Sequence, residues 1–174
     1  LVMEFCEVSN NSCSSGGGGI QVATGHLTNV TLVNNSDGAG GSGIYGSDIV
    51  VSNCIFRSNS NNNIYQVGST LQISYSNIEN GISSIIHNNS LEWGEGNIDA
   101  NPLFCNVETG DYSLAANSPA IGAGENGADM GAFGVGCEAI NLAPIIEDIE
   151  DQQTNEDEPL MVDVSATSQM GYAL

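Results

Sequence analysis

A repeat about two dozen residues long constrains this chain more than any other feature. Cys6-Glu7-Val8-Ser9-Asn10-Asn11-Ser12 aligns with Val30-Thr31-Leu32-Val33-Asn34-Asn35-Ser36 at a shift of 24. That segment aligns with Cys54-Ile55-Phe56-Arg57-Ser58-Asn59-Ser60 at a further 24, and Ser76-Asn77-Ile78 follows at a shift of 22. Repeats of this length mark arrays in which each unit buries its apolar face by stacking on its neighbours. Reading down the repeat, Met3, Leu27, Val51 and Ile73 form one apolar column, and Val8, Leu32, Phe56 and Ile78 form another. Cys6, Val30, Cys54 and Ser76 make a column of small residues between them. Ile20, Ile44 and Ile64 make a further apolar column upstream, and Asn11, Asn35 and Asn59 a polar one, followed by Ser12, Ser36 and Ser60.

The apolar runs are short and β-branched, and turn residues interrupt them every few positions, which argues against helices. Short strands stacked in register through Gly, Asn and Ser turns describe an all-β parallel β-helix, each coil about 4.8 Å above the last. The Asn column fits that rise, because a stacked amide donates to one coil and accepts from the next. Asn also tolerates the left-handed backbone of tight bends. Ser15–Gly19 and Gly38–Gly43 occupy corresponding places and read as corners between strands. A phosphate-cradling role for these glycine runs needs a following helix and usually a Lys, and the chain has no Lys.

Twenty-one acidic residues face a single basic one, Arg57, for a formal charge of -20. Nucleic acid needs clustered Lys or Arg, and anionic membranes favour the same, so neither is an expected partner. The acidity suits a soluble exported protein, a salty medium, or a surface that attracts Ca²⁺. No hydrophobic stretch is long enough to span a bilayer, so membrane insertion is not expected, and no signal peptide is visible. The chain opens in the middle of an apparent coil, which reads as a fragment with any export signal upstream. Of the five cysteines, Cys6 and Cys54 share a column two coils apart, about 10 Å and too far for a disulfide. They read as small buried residues. Cys105 and Cys137 flank the last segment of the repeat domain, either bonded to each other or free. There is no CxxC and no Cys/His cluster of the kind that holds zinc.

From about residue 81 the repeat loosens. Gly96-Asn97-Ile98-Asp99-Ala100-Asn101-Pro102-Leu103-Phe104 is followed by Gly110-Asp111-Tyr112-Ser113-Leu114. Asn117-Ser118-Pro119-Ala120-Ile121-Gly122-Ala123-Gly124 and Asp129-Met130-Gly131-Ala132-Phe133-Gly134 come next. This series resembles, in order and spacing, the C-terminal end of bacterial right-handed parallel β-helix repeat proteins with a pectate-lyase-like fold. In these, a "NIDADPLF", "GDY", "SPAIDAG", "DIGAFE" series closes the helix. Asn101 and Gly122 stand where that pattern carries aspartate, which bears on ion binding by the cap and not on the fold. The resemblance implies a right-handed solenoid over residues 1–137, in keeping with the general preference for right-handed crossovers. It also implies a terminal cap over about 81–137, covering strand edges and the apolar core.

After Cys137 the composition shifts. Asn141-Leu142-Ala143-Pro144-Ile145-Ile146 leads into acidic stretches and then Leu160, Val162 and Val164, whose alternation suits a half-buried strand. Residues 138–174 look like a linker and the opening strands of a cadherin-like or immunoglobulin-like surface module. A complete sandwich needs about 100 residues, so the module is truncated.

β-Helices often carry polysaccharide lyases and glycoside hydrolases, so catalytic residue patterns bear on this chain. A lyase needs a base beside acidic Ca²⁺ ligands, and the one basic side chain, Arg57, aligns with Ser9 and Val33 and reads as a solvated charge. Asp37, Asp48, Asp99 and Asp111 are scattered, and no pair can be nominated for glycoside cleavage at the roughly 5–9 Å such chemistry uses. Glu92 and Glu95 flank Trp93 in what reads as a solvated loop. His26 and His87 read as surface or turn residues, and no GxSxG elbow is present.

Binding is more open. The residues after the column isoleucines, Gln21, Tyr45 and Tyr65, form an outward column if the isoleucines face in. Aromatics aligned on one face can stack on sugar rings; tyrosine merely filling exposed sheet surface is the plainer alternative. Asp148, Asp151, Glu156 and Asp157 offer carboxylates for Ca²⁺ at a module junction, since that ion takes several oxygen ligands. A solvated acidic linker is the plainer alternative there. The expected function is a non-catalytic, extracellular or cell-surface scaffold for adhesion or polysaccharide contact. The alternative is the C-terminal part of a polysaccharide lyase or glycoside hydrolase whose catalytic coils lie upstream.

Overall fold

The structure is a computed structural model that describes residues 1–38 and 40–140, together with the backbone of Ile145–Ile146 and Ala166–Thr167. It divides into two compact units, Leu1–Ala139 and Ile140–Leu174. In the second, only β15 (Ile145–Ile146) and β16 (Ala166–Thr167) are described, and they pair antiparallel. The first unit holds everything else.

That unit is a parallel β-solenoid of about six turns. Strand accounts for 48% of the described residues, and the helical 7% is three short 3-10 turns. The coils are built from β1 (Val2–Ser9), β2 (Ser12–Cys13), β3 (Ile20–Val33), β4 (Ser36–Asp37), β5 (Ile44–Ser52) and β6 (Ile55–Arg57). They continue through β7 (Ile64–Gln66), β8 (Thr70–Ser74), β9 (Asn77–Ile78), β10 (Ile85–His87) and β11 (Ser90–Trp93). Nine of these strands share one sheet, and all pairings among coils are parallel.

The register is the one the repeat specifies. Met3 pairs with Leu27, Leu27 with Val51 and Val51 with Ile73. Val8 pairs with Leu32, Leu32 with Phe56 and Phe56 with Ile78. Ile20, Ile44 and Ile64 stack as well, and Ile85 extends that column by one coil. These inward columns form one apolar core, in which Leu27, Leu32, Ile44, Val51, Phe56 and Ile64 have no exposed surface. A slip of one residue would turn each column to solvent, so burial itself fixes the register.

Two corners of each coil carry the bends. Phe5, Asn29, Asn53 and Tyr75 stack with φ between 47° and 52°, and Asn10, Asn34, Ser58 and Asn80 stack with φ between 54° and 62°. The left-handed positions are thus the residues just before the Asn and small-residue columns. Those columns satisfy the backbone at the corners instead. The Asn11 N–H and Nδ2 both donate to Asn35 Oδ1 at 3.1 Å, and Asn35 repeats this onto Asn59 Oδ1 at 3.0 and 3.2 Å. Asn59 Nδ2 passes the chain to Asn63 Oδ1 at 2.9 Å. At the other corner the Val30 N–H donates to Cys54 Sγ at 3.4 Å and the Cys54 N–H to Ser76 Oγ at 3.1 Å.

Past the coils, β12 (Phe104–Asn106), β13 (Asp111–Ala115) and β14 (Val135–Cys137) form a small sheet of their own. The segment runs back along the flank of the solenoid, and its contacts reach the first three coils. Tyr112 Oη accepts from Asn10 Nδ2 at 3.4 Å and from Asn34 Nδ2 at 3.3 Å. Asn29 Nδ2 donates to the Asp129 carbonyl at 2.7 Å, the Gly131 N–H donates to the Asn53 carbonyl at 2.7 Å, and the Ala132 N–H to Thr31 Oγ1 at 2.9 Å. The physical reason is that Val33 and Ile55 point outward and need cover. They pack with Phe104, Tyr112, Leu114, Ala120 and Met130 as a second apolar cluster. Gly131 is required at this contact, since a side chain there would meet Ile55 Cδ1 at 2.7 Å. Cys105 and Cys137 are joined by a disulfide that ties β12 to β14, while Cys6, Cys13 and Cys54 are free thiols.

Candidate functional site

The outward column next to the isoleucines is present in register. Gln21 pairs with Tyr45, Tyr45 with Tyr65, and Tyr65 with Ile86 on the following coil. The alternation of a strand puts Ile20, Ile44 and Ile64 in the core and therefore these three side chains on the outer face. Gln21 is exposed, and both tyrosines are half-buried.

The tyrosines do not lie as two parallel plates. Their ring centroids are 5.4 Å apart with 75° between the ring planes, the edge-to-face geometry that the ring quadrupole favours. One flat sugar face therefore cannot stack on both at once. The glycine corner explains the placement of Tyr65. A side chain at Gly40 would meet Tyr65 Cδ1 at 3.1 Å and one at Gly41 would meet Tyr65 Cβ at 2.8 Å, so only glycine lets the ring settle against that loop.

Two shallow hollows adjoin this column. One, of about 400 Å³, is lined by Ser15, Gly16, Gln21, Tyr45 and Tyr65. The other, of about 300 Å³, is lined by Gln21, Val22, Ala23, Tyr45, Gly46, Ser47 and Val67. Gln21 and Tyr45 border both, the first hollow lying toward the glycine corner and the second farther along the strands. The Gln21 amide and the Tyr45 and Tyr65 hydroxyls have no hydrogen bond to another side chain or to the backbone among the described residues. Three neutral polar groups and a ring edge thus face solvent across two adjacent concavities. The column is legible in the sequence and the hollows are not, because a concavity depends on how the Ser15–Gly16 corner folds beside the strands and not on the repeat.

Other candidates resolve differently. Arg57 is not a freely solvated charge: its Nε lies 3.6 Å from Glu79 Oε1, and its side chain is only 15% exposed. Glu92 and Trp93 lie in strand β11 rather than a loop, with Trp93 packed against the core. Gln72 Nε2 donates to Glu92 Oε2 at 2.6 Å. Tyr75 Oη donates to Glu95 Oε1 at 2.7 Å, which raises that phenol above its usual range. His26 and His87 are both exposed on strands. Asp37 is buried and accepts the Gly16 N–H at 3.2 Å, and Asp48 accepts the Ser69 and Thr70 N–H groups at 3.2 and 3.1 Å. Both carboxylates serve turns. Among the described residues no three His, Cys, Asp or Glu side chains group closely enough to hold a metal ion. The proposed Ca²⁺ ligands Asp148, Asp151, Glu156 and Asp157 lie outside the described residues. No helix among the described residues is long and apolar enough to cross a membrane. No protein-family profile matches the chain, and no curated protein or solved structure shows significant similarity to it.

Proposed function

We propose that the chain is part of an extracellular or cell-surface scaffold of the right-handed parallel β-helix class, which makes polysaccharide contact through the Gln21, Tyr45 and Tyr65 face. The observation that carries this reading is the pair of hollows meeting at Gln21 and Tyr45, with three unpartnered polar groups around an aromatic edge. Sugar rings offer C–H faces to aromatics and hydroxyls to amides and phenols, and this surface presents both kinds of partner. Its backbone is held by strand ladders and side-chain ladders on every coil, so little conformational freedom is lost on binding.

Supporting the export half of the proposal, the Cys105–Cys137 disulfide is of a kind that persists in oxidising compartments. The ordered series over residues 96–134 supports membership of the β-helix repeat class with a pectate-lyase-like fold. The antiparallel pair β15–β16 accords with a following cadherin-like or immunoglobulin-like module, and Ca²⁺ at Asp148, Asp151, Glu156 and Asp157 belongs to that same proposal.

The test is a glycan-array screen paired with a polysaccharide depolymerisation assay, each run with Ca²⁺ and with chelator. The expected result is binding without release of new chain ends, weakened on Tyr45→Ala or Tyr65→Ala. Release of reducing or unsaturated ends would overturn the scaffold reading in favour of a lyase or hydrolase.

A further inference from the structure

We infer that the ligand of this face is an uncharged polysaccharide laid along the strand direction, and not a uronate or sulfated glycan. The inference rests on the glycan-contact reading and narrows it to one substrate class.

The direction follows from where the hollows lie. Ser15 and Gly16, which border the first, precede the aromatic column in the chain; Ala23, Ser47 and Val67, which border the second, follow it. A linear glycan that fills both must cross Tyr45 parallel to the strands. A sugar in that direction lies against Tyr45, and Tyr65, its cross-strand partner set edge to face with it, flanks the glycan from the next coil.

The charge class follows from what surrounds the hollows. Every polar side chain lining them is neutral: Ser15, Gln21, Tyr45, Ser47 and Tyr65. The two carboxylates fastened to their walls are Asp37, bound to the Gly16 N–H, and Asp48, adjacent to Ser47. An anionic sugar is recognised by Arg or Lys, often in bidentate geometry. The whole chain has one such residue, Arg57, which lines neither hollow and is paired with Glu79. A uronate at this face would meet no cation and would approach a surface whose formal charge is strongly negative. A neutral glycan pays neither cost.

The experiment is affinity electrophoresis of the whole chain, with EDTA present, through gels carrying β-glucan, xylan or galactomannan, and through gels carrying polygalacturonate or alginate. Wild type is compared with Tyr45→Ala and, as an exposed substitution that leaves the core untouched, Gln21→Ala. We expect retardation by at least one neutral polysaccharide, reduced about tenfold by Tyr45→Ala. Polyuronates should retard about tenfold less at low salt, the gap narrowing as the Debye length falls from ~30 Å at 0.01 M to ~8 Å at 0.15 M. Tyr45-dependent retardation by a polyuronate alone would overturn the charge class while leaving the face standing. Retardation that ignores both substitutions, or none in any gel, would overturn the face and the inference with it.

Discussion

At the scale of single residues, the fold depends on side chains that stand in for backbone partners at the corners. Asn35 has no exposed surface, and its amide both accepts from Asn11 and donates to Asn59 and to the Val8 carbonyl. Asn35→Ala leaves the Asn11 N–H and the Val8 carbonyl without these partners. At about 0.5–1.5 kcal/mol net for each of these part-buried hydrogen bonds, the variant should lose roughly 1–3 kcal/mol. Urea unfolding monitored by circular dichroism measures this directly. Cys54 serves the second corner column, and burial pushes its thiol up to about 12, opposed by bonds to Val30 and Ser52. The unfolded chain releases that proton near 9, so the thiol's contribution is intact below pH 9 and is lost between pH 9 and 12. Unfolding free energy should therefore fall in that window by on the order of 1 kcal/mol per pH unit, and Cys54→Ser should flatten the slope. Both columns were legible in the sequence, because equal residues at equal spacing can only be stacked. Which residues take the left-handed backbone was not. Phe5 and Tyr75 sit there beside Asn29 and Asn53, and aromatic residues give no sign of such a bend.

At the scale of elements, the coils and the folded-back segment obey different rules. Coil register could be read from Met3, Leu27 and Val51 alone, since each strand pairs with the copy one repeat away. The destination of residues 98–137 could not, because its partners are distant in sequence: Tyr112 meets Asn10, and Ala132 meets Thr31. Outward Val33 and Ile55 were the available hint, two apolar residues at positions where Ser9, Arg57 and Asn77 show polar character. The disulfide closes this segment across a separation of 32 residues. Loop-closure entropy over that span amounts to about 3–4 kcal/mol in the chain-entropy account. Replacing both Cys105 and Cys137 with Ser should thus leave the coils folded and loosen the flank. Hydrogen–deuterium exchange should quicken over 104–137 and stay slow in β3 and β5. Equal acceleration in the coils would mean that the segment is an integral part of the solenoid rather than a cover laid on it.

At the scale of the whole molecule, charge governs stability and partner choice together. Thirteen of the 21 acidic residues lie in Leu1–Ala139 with the single Arg57, so that unit carries a net negative charge that repels itself. Its melting temperature should rise as NaCl goes from about 0.01 M to about 1 M, where the Debye length drops from ~30 Å to ~3 Å. A flat response would mean that the carboxylates are already offset by their hydrogen bonds, as Asp37 and Asp48 are. The measurement that bears most directly on the glycan-contact reading is a ¹⁵N chemical-shift titration with a neutral oligosaccharide. Shifts should concentrate at Ser15–Gly16, Gln21–Ala23, Tyr45–Ser47 and Tyr65–Val67. Shifts centred instead on the face bearing His26, Val50 and Gln72, or on the flank around Tyr112, would contradict it.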